Sequence, residues 1–280
     1  MKNQHSVPGL SLLFAMCLTL GPISALSAAP DFVSTHALQR IDYWQQRQAD
    51  LTAELRNAQD LAAVRLVFLG DSITDFWHLD DNPWFPGLKC GRKVWDESFA
   101  GNTAVNRALN LGISGDRMEH VLFRLLPEKE GGLGELDAPG LHPEFIVLMV
   151  GINNTFAGEN PMADSVCAGI KAVVTAVHAR QPRATVVLES LLPTNDEAKN
   201  RDVVLPVNER LIALCASQPF ATYVHYLDLH RSFVDSEGKQ VARYFNDGLH
   251  PNQAGYGVWR DQLVPFLAEL RASSRPGLGN

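Results

Sequence analysis

Two kinds of hydrophobic pattern alternate along this chain. Residues 64–69, 145–150, 185–192 and 223–229 are short, almost wholly apolar runs. Such runs predict strands buried on both faces, because a strand with one wet face would alternate. Gly70, Gly151 and Pro193 stop the first three. A fifth, weaker run lies in 104–111. Between them, apolar positions recur at helical spacing in 118–126, 163–180, 207–217 and 252–270, and 35–59 reads as a polar amphipathic helix on the outside. Strands alternating with helices of this length imply parallel strands joined by crossovers. The Gly/Pro-rich stretch 128–143 predicts a surface loop. The expectation is one α/β domain over residues 63–272, with helices on both faces. A helical extension over 29–62 would precede it and a tail over 273–280 would follow.

The first segment reads as an address rather than a fold element. Lys2 is basic, 10–20 is nearly all apolar, Gly21-Pro22 breaks the run, and 24–29 are small residues. This is the layout of a secretory signal peptide over 1–28, with export to the periplasm or the extracellular space. The apolar run falls short of the ~20 residues that span a bilayer. No later run is expected to reach that length, so no integral membrane segment should remain after cleavage.

Composition narrows the function classes. At 46% hydrophobic and 20% charged the chain is neither disordered nor fibrous. Its net charge of -7 lacks the basic excess of a nucleic-acid binder and disfavours anionic membranes. Beyond Cys17 in the leader there are three cysteines, Cys90, Cys167 and Cys215, so this is no disulfide scaffold and idle thiols are expected. No CxxC or HExxH motif supplies a metal framework.

In an open parallel sheet, ligands bind at the carboxyl ends of the strands. Gly70-Asp71-Ser72 follows the first run; Ser72 either caps a helix or exposes a hydroxyl at the mouth of the sheet. Gly112 and Gly115 follow the possible second strand, as turn glycines or as backbone donors near a reacting oxygen. Asn153, after the next strand, suits an oxyanion hole, because an amide donates without titrating. Asn153-Asn154-Thr155 also fits a glycosylation acceptor, but a buried strand end is a poor place for one. Asp247-Gly248-Leu249-His250 places a carboxylate and an imidazole in one turn, as a base with its orienting acid, a structural turn or half a metal site. Phe76, Trp77, Trp84, Phe85 and Trp95 either contact substrate or cover the sheet edge. Tyr226, Asp228 and His230 alternate along a strand and would share one face, as a satisfied polar end or as a metal pair.

Gly70-Asp71-Ser72, Gly115, Gly151-x-Asn153 and Asp247-x-x-His250 occur in the order of the four blocks of the SGNH hydrolases, the GDSL esterases and lipases, which the chain resembles from 64 to about 270. Residues 109–126 are similar to the platelet-activating-factor acetylhydrolase catalytic-subunit branch. The resemblance implies a flavodoxin-like three-layer α/β/α sandwich with a central, mostly parallel sheet. It implies Ser72 as nucleophile, His250 as base and Asp247 as its orienting acid. The oxyanion donors would be the backbone N–H groups of Ser72 and Gly115 and the side-chain amide of Asn153. Asp71, Asn154, Trp77 and Trp84 complete the expected substrate-binding surface. No metal or organic cofactor is expected. The implied partner is a small ester or an acylated carbohydrate, with a lysophospholipase, a thioesterase or an acyltransferase as alternatives on the same triad.

Overall fold

A computed structural model of the protein describes Met1 and residues 30–40, 44–57 and 61–273. The expected leader and most of the expected tail therefore lie outside the described residues. The described residues from Asp31 onward form one compact unit.

Five strands make the sheet: β1 (Leu66–Gly70), β2 (Ala108–Gly112), β3 (Phe145–Met149), β4 (Thr185–Glu189) and β5 (Val224–Leu227). All pair in parallel, in the order β2-β1-β3-β4-β5. Leu66 to Leu69 of β1 are wholly buried, as are Ile146 and Leu148 of β3, which accounts for their unbroken apolar runs. The helices are α1 (Trp44–Asn57), α2 (Ser72–Asp75), α3 (Arg92–Ser98), α4 (Met118–Leu125), α5 (Met162–Arg180), α6 (Glu197–Lys199), α7 (Leu205–Ala216) and α8 (Gln253–Ser273). The helices α3 and α8 pack together over one face, and α5 packs between α4 and α7 over the other. This is the three-layer sandwich expected from the sequence. The chain leaves β1 for β2 on one side and then crosses to β3 on the other. The crevice between the ends of β1 and β3 is therefore the topological switch point, where open α/β sheets bind ligands.

Several expectations are corrected. Residues 35–59 are not one helix: a 3-10 turn at Val33–Thr35 precedes an extended segment, and α1 starts at Trp44. Residues 104–106 form a 3-10 turn outside β2. The stretch 128–143 is more than a surface loop, because it buries Glu135 against Arg124 and Gln48. Finally, α5 is long and apolar enough to meet the length of a membrane span. Its Val166, Ile170, Val173, Val174 and Val177 are instead buried in the core.

Gly112 shows how tightly the turn after β1 is seated. A Cβ built there would lie 2.3 Å from the backbone nitrogen of Asp75 in α2. Backbone cannot yield as a flexible side chain can, so the turn that bears Ser72 rests directly on β2 only because residue 112 has no side chain. Gly112→Ala is expected to destabilise the protein by about 1–3 kcal/mol, the range for overpacking. Urea unfolding measures this; a change under about 0.5 kcal/mol would show that α2 is not pressed against β2.

Candidate active site

Ser72 is the first residue of α2, directly beyond β1. Asp71 caps that helix: its carboxylate accepts from the Ile73 N–H at 3.0 Å, and its carbonyl accepts from Thr74 and Asp75 at 3.1 and 2.7 Å. The first N–H groups of a helix have no partner within it. Asp71 satisfies those that follow Ser72, on Ile73, Thr74 and Asp75.

The Ser72 hydroxyl lies 2.8 Å from His250 Nε2, and His250 Nδ1 lies 2.7 Å from Asp247 Oδ2. A carboxylate only accepts, so Nδ1 carries the proton and donates to Asp247. Nε2 is thereby left to accept from the serine. The other Asp247 oxygen accepts from the backbone N–H groups of Leu249 and His250 at 3.0 and 2.8 Å. Burial would raise the Asp247 carboxyl, but the hydrogen bonds from the ring and backbone of His250 outweigh it and hold the group below the usual carboxylate range. The Gly248 carbonyl accepts from the Asn195 N–H, in the loop beyond β4, and from Gln240 Nε2, which also donates to the Pro193 carbonyl of that loop. His250 stacks on buried Phe76, with ring centres 4.9 Å apart.

The second block forms a turn in which the Asp116 N–H donates to the Ile113 carbonyl at 3.1 Å, with Gly115 at φ +79°. Gly112 is excluded as a donor to substrate because its N–H is already held by Asn110 Oδ1 at 2.9 Å. Asn153 lies just past β3. One of its amide hydrogens goes to the Asp116 carbonyl at 2.9 Å, which fixes the amide and leaves the second hydrogen to donate elsewhere.

The structure does not bring every expected substrate contact to the site. Asp71 is buried, and burial pushes its carboxyl up to about 7 against the Ile73 N–H. It is a helix cap beneath the site. Asn154 is buried too, accepting from the Met118 N–H and donating to Glu119, so it fastens α4 to the loop after β3. Trp77 is wholly enclosed by Phe68, Trp95, Phe99, Tyr256 and Trp259. Hydrogen bonds within the fold occupy Asp71 and Asn154, and apolar enclosure occupies Trp77. Trp84 is 51% exposed, with its ring centre 5.1 Å from that of His250. Buried Asn82 presents it by accepting from the N–H groups of Trp84 and Phe85. Cys90, Cys167 and Cys215 are free thiols. Among the described residues no cluster of His, Cys, Asp and Glu could hold a metal. Tyr226 and His225 lie on β5, while Asp228 and His230 fall beyond its end.

Some supporting residues gave no signal in the sequence. Asp75 accepts from the N–H and the hydroxyl of Ser114 and from Arg47 Nε. Arg124 is buried between Asp116 and Glu135, at 3.1 and 3.0 Å. Glu189, at the end of β4, is buried with Trp259 Nε1–H as a donor at 2.7 Å. Trp259 lies against Trp77 and Tyr256, and the Tyr256 hydroxyl donates to the Ile73 carbonyl at 2.8 Å. The helix α8 thus braces the residue next to Ser72.

A profile of the GDSL-like lipase/acylhydrolase family matches residues 68–258, which hold all four blocks. The chain belongs to that family. It is 36% identical over 215 residues to the human platelet-activating factor acetylhydrolase IB subunit alpha1, covering 75% of this chain and 78% of that protein. The alpha2 subunit from Rattus norvegicus is 35% identical over 179 residues, covering 64% of this chain and 70% of that one. Among solved structures, a putative acylhydrolase from Bacteroides fragilis superposes with a TM-score of 0.57 at 21% identity, covering 82% of this chain and 99% of that one. A carbohydrate esterase family 3 protein from Talaromyces cellulolyticus gives 0.51 at 20%, covering 76% and 100%. At these identities the structural matches speak for the fold. As a member of the family, the protein is a carboxylic ester hydrolase.

The brace beneath Ser72 has a pH signature. Burial pushes the Glu189 carboxyl up to about 8, so the folded protein holds a proton there that the unfolded chain releases near pH ~4.3. Stability from this group is full below about pH 4.3 and is lost as pH rises towards 8. Glu189→Gln keeps an acceptor for Trp259 and cannot ionise. Its stability relative to wild type should therefore grow with pH by about 1.4 kcal/mol per unit across that window. Urea unfolding at pH 5 and pH 8 tests this, and an equal difference at both would refute it.

Proposed function

We propose that the protein is a serine esterase that removes short acyl groups, acetyl foremost, through an acyl-enzyme on Ser72. The observation that carries this reading is the chain of two hydrogen bonds from Ser72 Oγ through His250 to Asp247. Ser72 Oγ attacks the ester carbonyl carbon as its proton passes to His250 Nε2. Asp247 stabilises the imidazolium. The charge developing on the carbonyl oxygen is met by the N–H groups of Ser72 and Gly115 and by the free amide hydrogen of Asn153. The imidazolium then protonates the departing alcohol oxygen. A water gives its proton to His250 and attacks the acyl carbon, and Ser72 leaves with its proton restored. No step calls for a metal or an organic cofactor.

Two observations favour a small acyl group on a carbohydrate or similar small ester. The relatives that share about a third of their residues are acetylhydrolases by name. The exposed Trp84 ring beside His250 is a flat apolar surface of the kind that packs on a sugar face. The apolar run over 10–20 supports export, which would place the substrate outside the cytoplasm.

Ser72→Ala is expected to abolish hydrolysis of p-nitrophenyl acetate in a folded protein, and retained turnover would remove Ser72 from the mechanism. Asn153→Ala should lower kcat by roughly 10²–10³, the usual loss for one oxyanion donor. A twofold loss would deny it that role. Across p-nitrophenyl esters, kcat/KM should peak at acetyl; a steady rise to decanoyl would favour the lysophospholipase alternative instead.

A further inference from the structure

The turn that carries Gly115 has two possible forms. With Ile113 to Asp116 closed by its hydrogen bond and Gly115 at φ +79°, it is a type II turn. The type I alternative differs by rotating the central peptide, which here joins the Ser114 carbonyl to the Gly115 N–H. That rotation would swing the Gly115 N–H out of the crevice and put the carbonyl oxygen in its place. An acceptor there would repel the charge that the site must stabilise.

One side chain grips that peptide by its oxygen. Arg40 Nη1 donates to the Ser114 carbonyl at 2.8 Å and reaches Asp116 Oδ1 at 3.2 Å. The guanidinium is buried, as is the Asp116 carboxylate, so little water competes for the contact. On the other side of Ser114, Asp75 holds its N–H at 3.0 Å. Arg40 is itself anchored through the segment that bears it. The Leu38 N–H donates to the Glu119 carbonyl, the Ser34 hydroxyl donates to the Ser165 carbonyl, and Glu159 accepts from the Val33 N–H. This segment lies outside residues 68–258, which match the family profile.

We infer that Arg40 is a positioning residue for the oxyanion hole: by holding the Ser114 carbonyl it selects the type II turn and aims the Gly115 N–H at the substrate oxygen. The same hydrogen bond polarises the peptide, drawing electron density towards the carbonyl and making the Gly115 N–H a stronger donor. The inference rests on the assignment of Gly115 to the oxyanion hole made above. It makes the residues before the catalytic blocks part of the working apparatus.

Steady-state kinetics of Arg40→Met on p-nitrophenyl acetate, with the reactive serine titrated by a fluorophosphonate in the same samples, test it. A mispositioned donor weakens the transition state and not the ground state, so kcat should fall roughly tenfold or more with KM unchanged. Arg40→Lys, which restores a charged donor, should recover part of the loss. A folded Arg40→Met with kcat within twofold of wild type overturns the inference, as does a loss confined to KM or to the titre of reactive serine. Should Arg40→Met not fold, Arg40→Gln takes its place: it keeps a neutral donor, a two- to tenfold drop in kcat is expected (roughly, for a weakened donor), and wild-type kcat overturns the inference. Titration separates the two levels of failure. Unlabelled Ser72 in the wild-type protein defeats the esterase reading itself, whereas full labelling with an unaltered kcat in the variants defeats only the Arg40 role.

Discussion

The site depends on one constraint: the His250 ring must present a bare Nε2 to the Ser72 hydroxyl, and it does so at 2.8 Å across 178 residues of sequence. Every feature around the ring serves that orientation. Asp247 takes the Nδ1 proton and fixes the tautomer, while its second oxygen ties down the backbone of the same turn. Phe76 supports one face of the ring, and Trp84 packs near it from the solvent side. A ring free to rotate would lose the serine in most of its positions. Much of the sheet and the aromatic core therefore act as a jig for one hydrogen bond.

The serine side of that bond is held as firmly. The helix α2 rests on β2 because Gly112 has no side chain, and α8 braces it through Tyr256 on the Ile73 carbonyl. The proposed donors to a developing oxyanion, on Ser72, Gly115 and Asn153, follow three strand ends at the switch point where the chain direction across the sheet reverses. The charged groups behind them are buried and mutually paired: Arg40 and Arg124 on Asp116, and Arg47 on Asp75. Pairing of this kind costs desolvation and gives little net stability, but it holds a geometry that softer apolar packing would leave loose. Residues from the N-terminal segment thereby become part of the hydrolase unit.

The legibility of all this in the sequence follows from range. Strands β1 and β3 were plain because burial on both faces leaves an uninterrupted apolar run. Ser72 and the Asp247–His250 pair each also fit a helix cap or a structural turn, and only the order of the four blocks singled them out. Helix α3 leaves no pattern in the sequence, since Arg92–Ser98 is short and lies inside an aromatic-rich stretch without clear period. Trp77 and Trp84 look alike in sequence; only the fold encloses one and exposes the other. Asp71 and Asn154 sit beside catalytic blocks, yet their side chains turn inward to cap a helix and to fasten α4. Arg40, Arg47, Asp75 and Glu135 meet partners far along the chain, at spacings that no local pattern encodes.

The account is tested most directly by peptide mapping after brief exposure to a fluorophosphonate, comparing wild type with His250→Gln. It predicts a single phosphonyl adduct on Ser72 in the wild-type protein, forming at least a hundredfold more slowly (roughly, for loss of the general base) when the imidazole is gone. An adduct on another residue, or labelling of Ser72 at an unchanged rate without the imidazole, would contradict it.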